Sequence, residues 1–307
     1  QDYNMYGVPR VITGSNGAVH QTQDLAKVRM SYDITPKDRL EYMGGFWTQV
    51  QDANSQSWVT TMNGVPVYNT QGTTSYQVGP FTNAAGASKP AHSGAQHAMN
   101  ALTLKRDTGG VFDYDFTLTS YNYLRDFSNT STNYGFLPSL ANTRGIPNNF
   151  IVNPTGQNLQ LDGTYWRTGD TRFIYRPEGD YVGKHEVSFG THSDQYSLNQ
   201  NQTYTAFWPS SYSLGSYNVS GGKTTLNGVY VQDVWKVLPS WKVTLGARDD
   251  YWNAYNGSVA NGGLSSVSSP ASTGSPFASF TTATATGAGY QTSSKNGFQP
   301  KAAVEYQ

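Results

Sequence analysis

Hydrophobic and polar positions alternate along several stretches of this chain, and the first clear case is 25–34, LAKVRMSYDI. Ala26, Val28, Met30, Tyr32 and Ile34 take the even positions, with Lys27, Arg29, Ser31 and Asp33 between them. A helical period would scatter these groups around an axis, whereas a period of two sorts them onto the two faces of a strand. A turn at Thr35-Pro36-Lys37-Asp38 follows. In 39–51, Leu40, Tyr42, Gly44, Phe46, Thr48 and Val50 then lie opposite Arg39, Glu41, Met43, Gly45, Trp47 and Gln49. This hairpin pattern recurs. Strands 97–105 and 111–125 flank Asp107-Thr108-Gly109-Gly110, and Phe112, Tyr114, Phe116 and Leu118 face away from Asp113, Asp115, Thr117 and Thr119. Strands 165–175 and 185–196 flank Arg176-Pro177-Glu178-Gly179-Asp180, and 225–237 and 242–252 flank Leu238-Pro239-Ser240. A ninth strand, 298–306, has no hairpin partner.

Between the hairpins lie long polar segments, 52–96, 127–161, 199–222 and 253–296. Structureless connections of that length are uncommon in compact soluble domains. Outer-membrane barrels have them, with short turns on the periplasmic side and long loops outside. Here short and long connections alternate throughout. Arms of about 10–13 residues exceed the usual globular strand of about 5–6 and suit a tilted membrane-crossing strand of about 9–11 with overhang. Tyr32, Tyr42, Tyr114, Trp241, Trp252 and Tyr306 sit near strand ends, where aromatic girdles belong. A one-residue slip of 25–34 would turn Lys27 and Arg29 towards lipid, at roughly 2–4 kcal/mol each near the mid-plane, so the register is well specified. The pattern predicts an all-β, antiparallel, up-and-down transmembrane β-barrel. Residues 1–307 form part of one barrel domain, and 1–24 an extracellular loop. A soluble Gly/Ser-rich β-protein would be expected to show shorter strands and less regular connections.

Composition sharpens this picture. The 307 residues include 20 basic and 20 acidic side chains and no cysteine. Charged residues are only 13%, against about a quarter in ordinary globular domains. Aromatics reach 14% while mean hydropathy is −0.55, so Gly, Ser, Thr, Asn and Gln have replaced charge, which favours strands and turns. No basic stripe is available for nucleic acid, and the absence of cysteine removes disulfide scaffolds and Cys-ligated metals. No apolar run is long enough for a membrane helix, so a membrane protein of this sequence must cross as a closed sheet. The opening QDYNMYGVPR lacks the basic start and apolar core of a signal peptide, as expected of a processed chain or an internal segment.

Catalytic motifs fare poorly. Asp107-Thr108-Gly109 matches an aspartic-protease triplet, but it follows Lys105-Arg106 and has no second copy, so it reads as turn chemistry. His92 and His97 lack a carboxylate or Cys at ligand spacing and read as loop and strand-start histidines. His185 and His192 have the wrong spacing to share a strand face. Asp249 and Asp250, as neighbours, point to opposite faces. Neither a nucleophile elbow nor a P-loop occurs. No catalysis and no cofactor are expected.

The long segments hold few charges, Asp52, Lys89, Arg144 and Lys295 among them, and many aromatics. A receptor for a highly anionic ligand would display several Arg or Lys residues, whereas aromatic and amide-rich surfaces suit neutral complexes or sugars. The ligand-contact candidates are Tyr204, Phe207, Trp208 and Tyr212 in one segment, with Tyr134, Phe136 and Arg144 in another.

Gly228-Val229-Tyr230-Val231-Gln232-Asp233-Val234-Trp235, a short turn, and Thr244-Leu245-Gly246-Ala247-Arg248 resemble the late-barrel hairpin of TonB-dependent receptors, a "Y-x-Q-D-x-W" strand followed by "L-G-x-R". Phe298-Gln299-Pro300-Lys301-Ala302-Ala303-Val304-Glu305-Tyr306 resembles the next strand, "F-x-P-K-x-x-x-x-Y", and His185-Glu186-Val187-Ser188-Phe189-Gly190 resembles strands of the siderophore-receptor branch. The resemblance implies a barrel of about 22 strands filled by an N-terminal plug that opens when TonB pulls on it. Nine strands and no plug or TonB-box segment are found, so the chain reads as a partial barrel. The implied partners are outer-membrane lipid, TonB through a plug not present here, and a small iron chelate or other scarce nutrient. A passive porin-like channel and a soluble β-rich glycan-binding or adhesin module are the alternative readings.

Overall fold

The structure, a computed structural model, describes residues 18–53, 91–131, 156–179, 183–205, 213–261 and 286–306, together with short paired segments of two to four residues elsewhere. One antiparallel sheet dominates. Its segments in chain order are β1 (Val19–Asp33), β2 (Asp38–Ala53), β3 (Ala91–Arg106), β4 (Phe112–Ser131), β5 (Gly156–Gln160) and β6 (Tyr165–Tyr175). They continue with β7 (Lys184–Thr205), β8 (Ser213–Leu238), β9 (Trp241–Asn261), β10 (Thr286–Gly289) and β11 (Ser293–Tyr306). β5 and β6 lie in line between β4 and β7, and β10 and β11 lie in line along β9. The eleven segments therefore fill nine strand positions, each joined to its sequence neighbour in an up-and-down meander. The strand 298–306, predicted without a hairpin partner, begins at Ser293 and runs antiparallel to β9. Among the described residues β1 pairs only with β2 and β11 only with β9, so each presents an open outer edge.

The register carries the predicted parity across the whole sheet. Val28 is level with Gly44, Tyr42 with Leu102, Leu104 with Phe116, Phe173 with Phe189, Val231 with Ala247, and Leu245 with Ala302. This face stays apolar from β1 to β11, and its side chains are bare: Met30, Leu118, Leu245 and Val304 are all more than half exposed. Such a continuous apolar surface is intolerable in water and natural in lipid. The other face carries Arg29, Glu41, Asp115, Asp170, His192, Arg248 and Lys301. Near the short turns the apolar face ends in rings: His185 stacks on Trp235 with centroids 5.3 Å apart, and Trp241 lies 5.1 Å from Tyr306. These form the periplasmic girdle.

The short turns lie at one end and are tied chemically. Asp38, buried at the start of β2, accepts two bonds from Arg106 at 2.6 and 2.7 Å and one from the Tyr114 hydroxyl at 2.7 Å. Asp113 accepts from the Thr108 and Gly109 amides, while Gly109 takes the left-handed conformation (φ 64°) that the tight turn requires. Arg176, in the next turn, reaches back to Asp113 at 2.7 Å and forward to Glu186 at 2.8 Å. Those two carboxylates, Asp113 first, hold the guanidinium pKa above its ordinary value.

At the opposite end the strands run further than the alternation predicts. β1 begins at Val19, so the expected loop over 1–24 gives way to strand for its last six residues. β3 starts at Ala91 rather than 97, and β4 continues to Ser131. β7, β8 and β9 span 22, 26 and 21 residues, so most of the segment expected as a loop at 199–222 is paired strand. Beyond the membrane both faces of a strand meet water, and no apolar alternation is needed. Asn, Gln, Thr and Tyr keep the ladder without leaving the period-two signal on which the expectation rested.

Arginine in place of Phe116, on the apolar face, is expected to destabilise the folded barrel by roughly 2–4 kcal/mol, with Thr117→Arg on the opposite face tolerated. Urea unfolding in lipid vesicles measures both. Equal losses would contradict the assignment of faces.

Candidate functional site: the aromatic inner wall

Above the charged part of the inner face, consecutive strands contribute a shelf of rings. Trp47 on β2 is level with His97 on β3, which is level with Tyr123 on β4. Two residues nearer the turns, Tyr121 is level with Trp166 on β6, which is level with Tyr196 on β7. All six positions have inner parity, so the alternation delivers them to one surface.

His97 organises the shelf. It is only 5% exposed, stacks on Tyr123 at 4.0 Å and 14°, and meets Trp47 and Tyr121 at 5.0 and 5.3 Å. Its Nε2 lies 3.0 Å from Asp126 and its Nδ1 lies 2.7 Å from the Tyr121 hydroxyl. The carboxylate can only accept, so in the neutral imidazole Nε2 carries the hydrogen and Nδ1 accepts the Tyr121 O–H. Asp126 is itself fixed, since its amide donates to Asp162 Oδ1 at 2.6 Å. Asp162 belongs to the break between β5 and β6, where Gly163 (φ 81°) makes the turn and its amide donates to the Tyr123 carbonyl at 2.9 Å. An extra residue, Leu124, bulges β4 against β3 at the same level. Bulge and break together aim the rings.

Trp166 is 54% exposed and Tyr196 38%, with centroids 6.4 Å apart and edge to face. The shelf thus has a locked end around His97 and an open end facing the lumen. Towards the turns the wall is ionic. His192 bridges Asp170 at 2.7 Å and Asp194 at 2.9 Å, Arg29 meets Glu41 at 2.7 Å, and Arg248 meets Asp250 at 2.8 Å. Open rings can stack on planar groups and apolar rims, and Tyr hydroxyls can donate or accept. Among the described residues no group of three His, Asp or Glu is placed to hold a metal ion.

Of the ligand-contact residues proposed from sequence, Tyr204 lies in β7 rather than in a loop, half-buried and level with Gln157 and Gly215 on the inner face. Phe207, Trp208, Tyr212, Tyr134, Phe136 and Arg144 fall outside the described residues. His97, read as a strand-start residue, sits in mid-strand, and His92 pairs with Asp52 at 2.7 Å. His185 and His192 do lie on opposite faces, as do Asp249 and Asp250. The shelf itself was missed. Its signal was present in the inner parity of Trp47, Tyr121 and Tyr123, but His97 and Trp166 join them only through strand pairing.

A wall that is apolar outside, ionic and aromatic inside, and turned tightly at one end defines a transmembrane β-barrel of the outer membrane. The family model described as "TonB dependent receptor-like, beta-barrel" matches residues 28–307, and the chain belongs to that family. Membership assigns it to TonB-dependent uptake of nutrients across the outer membrane. No curated protein and no solved structure matches the chain.

His97→Phe keeps a ring in the stack but strands the Tyr121 hydroxyl and Asp126. It is expected to cost about 1–3 kcal/mol in denaturant unfolding, with Tyr121→Phe costing less because Asp126 keeps its partner. Similar losses for the two variants would remove His97 from its organising role.

Proposed function

We propose that this barrel takes up a ferric siderophore, and that the complex presents a near-neutral surface of aromatic and amide groups. The observation that carries the reading is the inner-wall shelf, whose rings Trp166 and Tyr196 stand open while Arg29 and Arg248, nearer the turns, are each paired with a carboxylate. A strongly anionic cargo would call for unpaired Arg or Lys residues at that level. The segments at 127–161 and 199–222 point the same way, with Arg144 their only charge among many rings. The cargo is bound and passed inward without covalent change, energised by TonB through a plug.

Trp208→Ala combined with Tyr212→Ala, in the full-length receptor, is expected to weaken ferric-siderophore binding by more than about threefold, roughly 0.65 kcal/mol, while heat-resistant barrel mobility is kept. Uptake of radiolabelled iron should stop when TonB is removed from the cell. Uptake that persists without TonB would indicate a passive channel, and unchanged affinity in the double variant would remove 199–222 from the site.

A further inference from the structure

The outward face loses its apolar character between β6 and β9. Gly169, Ser193 and Asn227 are level across β6, β7 and β8, with Thr171 and Thr191 level on the side nearer the turns. Ser193 donates to Asn227, and the two Thr hydroxyls share a hydrogen bond, each at 2.8 Å. Two charges flank these small polar residues. Arg167 on β6 lies over the Tyr165 ring at 4.3 Å, and Asp249 on β9 is level with Val229 and Phe298. Among the described residues Arg167 meets no carboxylate and Asp249 no cation, whereas Arg248, next to Asp249 but facing inward, pairs with Asp250 at 2.8 Å. Arg125 on β4 and Lys223 on β8, also outward and without a carboxylate among the described residues, stand further from the turns.

Arg167 and Asp249 stand at one height in the membrane. Tyr175 ends β6 and Trp241 begins β9 at the short turns, and Arg167 lies eight residues from the first and Asp249 eight from the second. On strands tilted by about 40° that is ~21 Å, near the upper margin of an apolar band of ~25 Å. The register agrees with this tilt: Tyr175 is level, through Val187 and Asp233, with Leu245, four residues beyond Trp241. From strand spacing and rise the two charges are ~20 Å apart, with the Ser193–Asn227 pair midway between them. A charge at this depth is costly without a partner.

Two copies of a barrel in one membrane share one orientation, so a symmetric pair has its twofold axis along the membrane normal. Such an axis preserves height and exchanges left for right. Placed at the Ser193–Asn227 pair, it sets Arg167 of each copy opposite Asp249 of the other. We propose that this face joins two copies of the receptor side by side, with Arg167 and Asp249 forming ion pairs across the axis. The patch is complementary in charge to itself, whereas an anionic lipid headgroup would leave Asp249 unmet. Small residues at the axis let the two walls approach closely, which is what association in a bilayer depends on. The walls are convex and part on either side of the axis. The long Arg167 spans that gap, and an open hollow of about 400 Å³ beside Asp249, lined by Thr191, Asn227, Val229 and Tyr251, admits it.

The test uses the full-length receptor bearing either of two affinity tags, co-expressed and extracted from outer membranes in mild detergent. Each tag should co-purify the other, and native mass spectrometry should show a dimer. Arg167→Asp and Asp249→Arg, each expressed alone under both tags, should lower that yield at least tenfold while heat-modifiable mobility is retained. Co-expressed with each other, the two variants should recover it, because one copy then supplies both acids and the other both arginines. Asp24→Asn, equally outward but on β1, should leave pairing unchanged. If a charge-reversed variant does not assemble, Arg167→Gln and Asp249→Asn decide, each expected to lose about threefold. A monomeric wild type, a dimer untouched by these substitutions, two reversed variants that do not pair with each other, or an equal loss in Asp24→Asn would overturn the proposal. So would a lipid or a different protein held at this face in place of the second copy. None of these outcomes depends on the nutrient carried.

Discussion

In the hydrocarbon of a bilayer no water is present to bond with a backbone amide or carbonyl, and each unmet group costs several kcal/mol. The antiparallel ladder through nine strand positions answers that constraint. Once the backbone is spent on the ladder, side chains have only two directions to go. The apolar exterior of Met30, Leu118 and Val231 and the ionic interior of Arg29, Asp170 and Arg248 are two outcomes of one alternation. The irregularities fall where water can reach them: the bulge at Leu124, the break at 161–164 and the left-handed Asn256 all lie in the upper part of the sheet.

Within lipid, period-two parity was legible in most arms, and least so in 165–175, where Arg167, Gly169 and Thr171 share the outward face with Phe173 and Tyr175. Leu40, Tyr42 and Phe46 opposite Arg39, Glu41 and Trp47 fixed strand, face and register before any pairing was known, because a misplaced charge there is expensive. Above the lipid the same physics falls silent. Residues 199–205 and 213–222 are paired strand, but an Asn-, Gln- and Ser-rich strand wetted on both faces looks like a loop in sequence. The shelf was half-legible for a related reason. Inner parity could be read for Tyr121 and Tyr123, but the partnership of His97 with Asp126 joins residues far apart in the chain and depends on a bulge that no local pattern announces.

The shelf and the outward cations share one geometric origin. At the level where the belt ends, the inner wall is no longer confined to charge, and the outer wall no longer needs to be apolar. The two surfaces are freed together. Rings then accumulate inside and the cations Arg125, Arg167 and Lys223 outside, on opposite faces of the same sheet. Gly190 shows how tightly the sheet is built lower down: a Cβ there would collide with the Thr171 carbonyl of the neighbouring strand, and the Tyr230 hydroxyl fills the adjacent space.

The 26 residues of β8, at about 3.4 Å each and tilted by about 40°, rise ~65–70 Å, against an apolar band of only ~25 Å. More than half of that beam stands clear of the bilayer, clamped along its length to β7 and β9. A clamped ribbon resists bending far better than a free loop does. The spacing of these paired strands above the bilayer is therefore set by their ladder, indifferent to local changes in membrane thickness. Whatever arrives from outside meets these paired strands well before it reaches the plane of the lipid.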